Sequence, residues 1–462
     1  MKKIHQSQAL NVIRPLLGCL TAVVIAANAH AATPSELADD FLSSLLKKNT
    51  HPGFAVLVSK DGKILFQRAY GMADTKAKRA NNDDTPFRIG SITKQFTAAS
   101  ILELQEQGKL TVNDPLTKYY PAWPSGEKIT LHHLLTHTSG MFSYTSHPRF
   151  ESQVRKPVDM SKLIQSIQET EANFLPGESF DYCNSGYLLL GLIVEKVSGQ
   201  SYGDFLRETF FKPLGMSQTG VHQKGSEPEG EALGYTKGLL GFKRANNWDM
   251  SWAGGAGAIY STTGDLHRWT LGIFNGKVLG NESLRAAFTP GILNDGTETD
   301  YGYGWGIENP GKEPTVMHGG GLDGFTSFMA YSSKRKMTIV VLSNTDTGHD
   351  TEAIFLQLAT FWAEMETNPD WEIDDTLVGK NYDDYVGRYD YGEATLVVTR
   401  KDDQLFSKLG GQPALEILPM APDEFFLKIV VARVKFERDS NGKVYRVTHF
   451  QNGEILKAPR LR

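Results

Sequence analysis

The stretch Phe87-Arg88-Ile89-Gly90-Ser91-Ile92-Thr93-Lys94 decides how this chain is interpreted, because a strand-like segment turns there into a helix. Apolar residues spread widely between Ser91 and Gln107, as in a buried helix, and Gly108 stands where a C-terminal cap glycine belongs. Ser91 and Lys94 are three residues apart and share one helix face, so the amine can reach the hydroxyl. A buried, neutral Lys can serve as the base that activates a Ser nucleophile.

The same Ser-x-x-Lys spacing recurs at Ser44, Ser125, Ser333 and Ser440. These four serines fall in an amphipathic helix, a proline loop, a polar turn and a hairpin. Only Ser91 stands at a strand-to-helix turn, where unpaired N–H groups and the positive end of the helix dipole suit an oxyanion. We therefore take Ser91 as the candidate nucleophile and Lys94 as its candidate base.

Tyr182-Cys183-Asn184 is a second candidate motif, and Tyr-x-Asn occurs only here in the chain. A phenol can relay protons and an amide can bind a substrate carbonyl. A Tyr titrates near pH ~10, however, and is a poor base unless a neighbouring ammonium lowers its pKa. Lys94 is the expected ammonium. The alternative is a loop in which Asn184 caps the apolar helix Gly186–Val197.

His318-Gly319-Gly320-Gly321 is a third candidate motif, at the entry to a strand pattern. Successive glycines let a backbone approach a ligand closely, although a tight turn explains them as well. A His with a pKa near ~6.5 is mostly neutral at pH 7 and offers one N–H donor.

Strand patterns stand at both ends of the larger, N-terminal part of the chain, with helices between them. Two apolar runs flank the Asp61-Gly62 turn as a hairpin, after a helix expected at Ser35–Lys48. Later strands are expected at Gly302–Trp305, Thr315–Val316, Ser327–Tyr331 and Met337–Ser343, and a helix at Thr351–Glu364. This order favours an α/β sandwich in which terminal segments share one sheet.

A change in composition at Asn368-Pro369 and Asp374-Asp375 separates this part from a run of short alternating strands. We expect these strands at Thr395–Thr399, Leu405–Leu409, Phe425–Val431, Val434–Arg438 and Val444–Phe450. The pattern predicts a small all-β barrel or sandwich.

The composition is that of an ordinary globular protein, with 40% hydrophobic residues and 48 Lys and Arg against 53 Asp and Glu among 462 residues. Met1–Ala31 contains three cations, an apolar run and the small-residue site Ala29-His30-Ala31, a combination that is typical of a secretory signal peptide. The apolar run is too short for a membrane anchor. Removal of Met1–Ala31 would change the formal charge from −5 to −8, which disfavours nucleic acid as a partner. Only Cys183 would then remain, so no intramolecular disulfide can form, whereas lipidation of Cys19 stays open.

Taken together, the three motifs resemble those of the serine hydrolases that share the penicillin-recognising fold: class C β-lactamases, penicillin-binding carboxypeptidases, esterases and D-aminopeptidases. Class A members carry Ser-x-x-Lys, Ser-Asp-Asn and Lys-Thr-Gly. Here Tyr-Cys-Asn stands second, as in the class C-like branch, and His-Gly-Gly replaces Lys-Thr-Gly. Leu134–Gly140, Pro176–Gly199 and Tyr301–Trp305 match the family as well, and the resemblance spans Ala38 to Glu364.

The resemblance implies a β-lactamase/transpeptidase-like α/β sandwich with an antiparallel sheet, followed by a small barrel or lipocalin-like β domain. We predict a signal peptide at residues 1–31, the hydrolase domain at 32–367, a linker at 368–378 and the all-β domain at 379–462. By the same resemblance, Ser91 is the nucleophile, Lys94 its base, and Tyr182 activates Ser91 or the deacylating water. Substrate binding is expected from Asn184, His318 and Gly320, and an oxyanion hole from the N–H groups of Ser91 and Gly321.

The expected protein is an exported, periplasmic or secreted hydrolase that forms a Ser acyl-enzyme on amide or peptide bonds, with D-amino-acid peptides as leading substrates. Esters and β-lactams remain alternatives, and so does a penicillin-binding sensor without turnover. The expected partner is a small-molecule or peptide substrate; the oligomeric state stays open, and no metal or organic cofactor is implied.

Two other interpretations carry less weight. His132, His133 and His137 suggest a zinc site because His133 and His137 are four residues apart, but that pair lacks a third ligand at the usual spacing. Cys183 is better explained as a small buried hydrophobe than as a nucleophile. The resemblance implies that Gly254-Gly255-Ala256-Gly257 is a loop near the pocket.

Overall fold

The structure is a computed structural model. It describes residues 33–47, 51–222, 228–239, 241–308, 310–311, 313–347, 351–363, 371–392, 394–410, 414–427, 432–451 and 454–461. The predicted signal peptide at residues 1–31 lies outside these ranges. None of the helices within them has both the length and the apolar character that crossing a bilayer requires.

The described residues form two compact units: a first unit of residues 45–355, and a second unit of residues 33–44 together with 356–461. The described helices are α1 (Pro34–Lys47), α2 (Thr93–Glu106), α3 (Leu131–Leu135), α4 (Phe150–Gln153), α5 (Met160–Glu169), α6 (Asn184–Ser198), α7 (Tyr202–Leu206), α8 (Lys212–Leu214), α9 (Gly254–Gly257), α10 (Thr263–Phe274), α11 (Asn281–Ala287), α12 (Thr351–Ala363) and α13 (Tyr382–Tyr385).

The strands of the first unit are β1 (Gly53–Lys60), β2 (Lys63–Asp74), β3 (Arg79–Ala80), β4 (Phe87–Arg88), β5 (Gly220–Val221), β6 (Tyr235–Gly238), β7 (Gly241–Arg244), β8 (Ile259–Ser261), β9 (Gly306–Glu308), β10 (Thr315–Leu322), β11 (Phe325–Ser332) and β12 (Met337–Ser343). Seven of them form an antiparallel sheet in the order β3-β2-β1-β12-β11-β10-β9. Strands from both ends of the unit therefore share one sheet, which confirms the predicted sandwich.

The hairpin between β1 and β2 turns at the predicted dipeptide. Asp61 and Gly62 have φ values of 50° and 75°, which is the left-handed pair that a two-residue hairpin turn requires. Helix α10 packs against β1 and β12, and the fully buried rings of Phe96 and Trp269 stack with centroids 4.0 Å apart between α2 and α10. Each such buried side chain contributes about 1.5–3 kcal/mol relative to exposure.

One predicted strand of the first unit is wrong. Residues 302–305 form a turn, and the strand begins only at Gly306. Gly304 causes the break, because it has a φ of 79° and packs so closely on α2 that a Cβ there would lie 2.6 Å from the carbonyl oxygen of Lys94. The turn therefore packs directly against the backbone of α2 at Lys94.

The second unit contains the predicted all-β structure, an eight-stranded antiparallel meander. Its strands are β13 (Gly387–Asp390), β14 (Thr395–Lys401), β15 (Gln404–Leu409), β16 (Leu415–Ala421), β17 (Glu424–Leu427), β18 (Ala432–Arg438), β19 (Val444–Gln451) and β20 (Glu454–Pro459). A bridge between Tyr389 and Arg460 brings the first and last strands together, so the barrel is nearly closed. Aromatic side chains fill its core, among them Tyr385, Phe425 and Phe436.

Candidate active site

Ser91 lies in a single 3-10 turn, Gly90–Ile92, between β4 and the start of α2. The turn begins at Gly90, whose φ of 50° lies in the left-handed region that favours glycine. A Cβ on Gly90 would lie 2.8 Å from the backbone nitrogen of Gly321, so the residue is also needed for close approach of β10. The sequence thus places the hydroxyl at a strand-to-helix turn, as predicted, although the α-helix proper begins two residues later, at Thr93.

Lys94 reaches Ser91 from the first turn of α2. Its Nζ lies 3.1 Å from Ser91 Oγ, 2.8 Å from Asn184 Oδ1 and 2.9 Å from the carbonyl oxygen of Ala256. The side chain is 0% exposed. Three hydrogen-bond partners thus surround the amine, and within the described part of the chain no carboxylate forms an ion pair with it.

Burial holds the pKa of Lys94 well below its usual range, and Cys183 opposes this only in part. A neutral amine has two N–H donors and one lone pair. The two N–H groups can be donated to Asn184 Oδ1 and Ala256 O, which leaves the lone pair to accept the Ser91 hydroxyl proton. This is the arrangement that a general base for a Ser nucleophile requires.

The ring of Tyr182 also lies next to the amine, with its centroid 4.7 Å from Lys94 Nζ. The phenol oxygen is buried without a well-formed hydrogen bond, yet Ser91 is near enough to oppose the rise that burial causes in the pKa of Tyr182. The pKa nevertheless lies above its usual value. Burial therefore favours a neutral phenol beside a neutral amine in place of the expected phenolate beside an ammonium.

Asn184 is the first residue of α6, and the N-cap is Cys183 without a side-chain bond, so Asn184 does not cap the helix. Its Oδ1 accepts from Lys94, and its Nδ2 donates to Thr145 Oγ1 at 3.0 Å. Ser143 Oγ accepts the backbone N–H of Asn184 at 3.1 Å. The amide thus orients Lys94 in this structure, and its expected part in binding a substrate carbonyl stays a prediction.

His318 lies on β10 and is 7% exposed. Its Nδ1 donates to the carbonyl oxygen of Gly319 at 2.6 Å, because that oxygen can only accept, and its Nε2 then accepts from the Tyr301 hydroxyl at 2.8 Å. Burial lowers the pKa of His318 to about 3. The ring is therefore neutral, and the single N–H that the sequence suggested for substrate is bonded within the protein.

The three glycines after His318 run along the Ser91 turn. A Cβ on Gly320 would lie 2.0 Å from the carbonyl oxygen of Ile89, whereas a Cβ on Gly321 would meet nothing within 4 Å. A side chain at position 320 would therefore clash with the backbone just before Ser91, so β10 can pack against the Ser91 turn only with glycine there. The backbone nitrogen of Gly321 lies beside Gly90, which fits its expected place in the oxyanion hole.

Sequence analysis missed the partner that α9 supplies. The segment Gly254–Gly257 forms a short helical turn, and Gly255 packs on Gly191 of α6 so closely that a Cβ on Gly255 would lie 2.9 Å from the Cα of Gly191. Thr97 Oγ1 donates to the Gly255 carbonyl oxygen at 2.6 Å. These contacts fix the Ala256 carbonyl that accepts from Lys94. A backbone carbonyl has no residue-type signal, and only the glycine-rich run marked the place.

The other candidates do not form separate sites among the described residues. No group of three His, Cys, Asp or Glu side chains there is placed to hold a metal ion; His132 Nδ1 lies 2.8 Å from the Tyr303 hydroxyl, and His133 Nδ1 accepts from the N–H of Thr130. Cys183 is 2% exposed and its thiol donates to the Met141 carbonyl oxygen. Burial raises the pKa of Cys183 to about 11, so it is a structural thiol.

Comparisons with known proteins cover both the larger N-terminal part of the chain and the C-terminal strands. Residues 38–359 match the family described as Beta-lactamase, and residues 374–457 match a domain of unknown function, DUF3471. Penicillin-binding protein 4* of Bacillus subtilis (strain 168) is 31% identical over 405 residues, which cover 82% of this chain and 89% of that protein.

Two solved structures extend the comparison. The D-stereospecific amidohydrolase from Streptomyces sp. has a TM-score of 0.60 at 26% identity, covering 69% of this chain and 96% of that chain. The D-amino acid amidase from Ochrobactrum anthropi SV3 shares the fold, with a TM-score of 0.63 at 23% identity over 71% of this chain and 98% of that chain. The chain therefore belongs to the Beta-lactamase family and is a serine hydrolase of that superfamily.

Proposed function

We propose that this protein is an exported hydrolase that cleaves amide or peptide bonds next to D-amino acids through an acyl-enzyme on Ser91. The observation that carries the proposal is the buried Lys94, whose amine lies 3.1 Å from Ser91 Oγ and whose pKa is held low by burial. A serine hydroxyl beside a neutral, fully buried amine is a nucleophile with its base already in place.

Acylation then proceeds in balanced steps. Ser91 Oγ attacks the substrate carbonyl carbon while its proton passes to Lys94 Nζ. The carbonyl π electrons move to oxygen, and the N–H groups of Ser91 and Gly321 bind the oxyanion. When the C–N bond breaks, the leaving nitrogen takes a proton from the neutral phenol of Tyr182, which Lys94 reprotonates, and an ester on Ser91 remains.

Deacylation reverses the proton path. Water attacks the ester carbonyl and gives its proton to Lys94, and the Ser91–carbonyl bond breaks. Ser91 Oγ takes a proton from Lys94, which becomes neutral again, and the acid product leaves. Tyr182, whose ring centroid lies 4.7 Å from Lys94 Nζ, is close enough to the amine to exchange protons in both half-reactions.

The third motif supports neutral substrates over anionic ones. His318 is uncharged and both of its ring nitrogens are bonded within the protein. A substrate carboxylate therefore meets no cation at the position where Lys-Thr-Gly enzymes have one. This favours amides and esters over β-lactams and free C-terminal carboxylates. The names of two structural neighbours, a D-amino acid amidase and a D-stereospecific amidohydrolase, favour D-configured amides.

The test is intact-protein mass spectrometry after incubation with a fluorophosphonate and, separately, with benzylpenicillin, followed by turnover of D- and L-phenylalanine amides. We expect a single fluorophosphonate adduct on Ser91, slow or no penicillin adduct, and multiple turnovers of the D-amide. A stable penicillin adduct without turnover of any amide or ester would instead indicate a penicillin-binding sensor. S91A is the control that should abolish both adduct and turnover.

Export is part of the proposal and has its own test. The composition of Met1–Ala31 supports cleavage before a mature hydrolase domain at residues 32–367, a linker at 368–378 and a β domain at 379–462. Amino-terminal sequencing of protein from the periplasmic or culture fraction should give a start close to Ala32. Full-length protein confined to the cytoplasm would contradict export and leave the chemistry of Ser91 untouched.

A further inference from the structure

One histidine, His137, contacts the residue before the second motif and the first two residues of that motif. The carbonyl oxygen of His137 accepts the N–H of Asp181 at 3.0 Å. Its Nδ1 accepts the N–H of Cys183 at 3.1 Å, and its ring lies 4.3 Å, centroid to centroid, from the ring of Tyr182. His137 therefore fixes the residue before Tyr182, the residue after it and the phenol ring itself.

His137 is itself held firmly. It is 1% exposed and has a φ of 59°, an uncommon conformation for a residue other than glycine. Thr138, the next residue, donates its N–H to the carbonyl oxygen of His133 and accepts the N–H of Gly177. Such a conformation persists only where the surroundings over-determine it, and it is found most often at functional sites.

The charge state of His137 suits this role. Its Nδ1 can accept from Cys183 only while that nitrogen has no proton, so the ring must be neutral with its proton on Nε2. Burial holds the pKa of His137 well below its usual range. Burial therefore favours the neutral ring that the contact with the Cys183 N–H requires.

We propose that His137 is the positioning residue of the Tyr182 phenol, and that it sets the distance of the phenol from Ser91 and Lys94 without touching substrate. This rests on the proposed function. The Tyr182 hydroxyl has no well-formed hydrogen bond of its own, so its place depends on the backbone on either side and on the ring packed against it. A misplacement of about 1 Å in a reacting group costs on the order of 100-fold in rate.

Two substitutions separate the contacts of His137. In H137N, the amide oxygen can take the place of Nδ1 as acceptor for Cys183, and Asn tolerates the left-handed φ. In H137F, the ring that packs on Tyr182 is kept and the acceptor is lost. H133N is the matched control, because His133 lies in the same segment and bonds Thr130 without contact to residues 181–183.

We expect kcat on a D-amide to fall about 100-fold in H137F with KM within about threefold of the parent, and H137N to recover at least tenfold of that loss. The fluorophosphonate labelling rate of Ser91 should follow kcat, while H133N keeps both rates at equal folded fraction. A folded H137F with parental kcat and labelling rate overturns the inference, as does a loss that appears in KM alone.

If H137F does not fold, H137N is compared with H137A, since both lack the ring and only Asn supplies the acceptor. Equal kcat in these two folded variants also overturns the inference. Failure of the proposed function looks different, because the parent protein and H133N would then show no Ser91 adduct and no turnover.

Discussion

Lys94 Nζ and Asn184 Oδ1 lie 2.8 Å apart, and this hydrogen bond joins the helix that follows the nucleophile to the helix that follows the phenol. The partner is an amide and carries no charge. The bond therefore orients the amine without stabilising its protonated form by an ion pair, which is how Lys94 can be both fixed and neutral.

N184D should test this relationship directly. The substitution keeps the shape and the acceptor, but a carboxylate at 2.8 Å favours the ammonium and raises the pKa of Lys94. We expect the acid limb of the kcat/KM profile to move to higher pH, with activity strongly reduced at pH 7 and partly recovered at pH 9–10.

The control for N184D is T145V, which removes the partner of the Asn184 Nδ2 group without adding charge. Its acid limb should stay at the parental pH. An acid limb in N184D that coincides with the parent would show that Lys94 does not set the pH dependence.

The lowered pKa of Lys94 also predicts how stability changes with pH. The unfolded chain binds a proton at Lys94 below pH ~10.4 and the folded chain does not, so unfolding takes up a proton. The free energy of unfolding should therefore rise with pH, relative to K94M, by up to about 1.4 kcal/mol per pH unit between the lowered and the ordinary pKa. Urea denaturation of both proteins at pH 7, 8, 9 and 10 measures it, and parallel curves would contradict a neutral Lys94.

G320A should disturb the nucleophile from a neighbouring strand. The added methyl group would lie 2.0 Å from the Ile89 carbonyl oxygen and 2.4 Å from Ser327 Oγ. We expect a loss of about 1–3 kcal/mol in the free energy of unfolding and at least a tenfold drop in the labelling rate of Ser91. G321A is the matched control for stability, since its methyl group meets nothing within 4 Å. Equal stability of the two variants would contradict the close approach of β10.

H318K places a permanent cation where the third motif now has a neutral ring. We expect faster acylation of Ser91 by benzylpenicillin, measured by mass spectrometry, because the drug carries a carboxylate. H318Q, which is polar and uncharged, should not show the gain. An unchanged penicillin rate in a folded H318K protein would remove charge at this position as the reason for the substrate preference.

The proximity of Ser91, Lys94 and Tyr182 could be predicted from the sequence because each contributes a distinctive side chain in a recognisable motif. The Ala256 carbonyl could not, since backbone acceptors are the same in every residue. Two hydrogen bonds were missed as well, that of Asn184 with Lys94 and that of His318 with Tyr301. A polar side chain in a motif can face either the substrate or the protein, and only packing decides between them.

In the fold as well, elements set by local sequence patterns were predicted, and elements without a clear local pattern were not. The hairpin at Asp61-Gly62 and the buried helix after Ser91 follow from local patterns and were predicted. Strand β16 contains Pro419, and β13 is only four residues long, so neither gave a clear alternating pattern. The turn at residues 302–305 depends on the closeness of Gly304 to α2, which is a contact distant in sequence.

The depth of Cys183 has a practical consequence. A thiol that stays protonated and out of reach of glutathione or peroxide forms no mixed disulfides. Purification in air without a reductant should therefore leave the Cys183 thiol unmodified, and activity should survive storage.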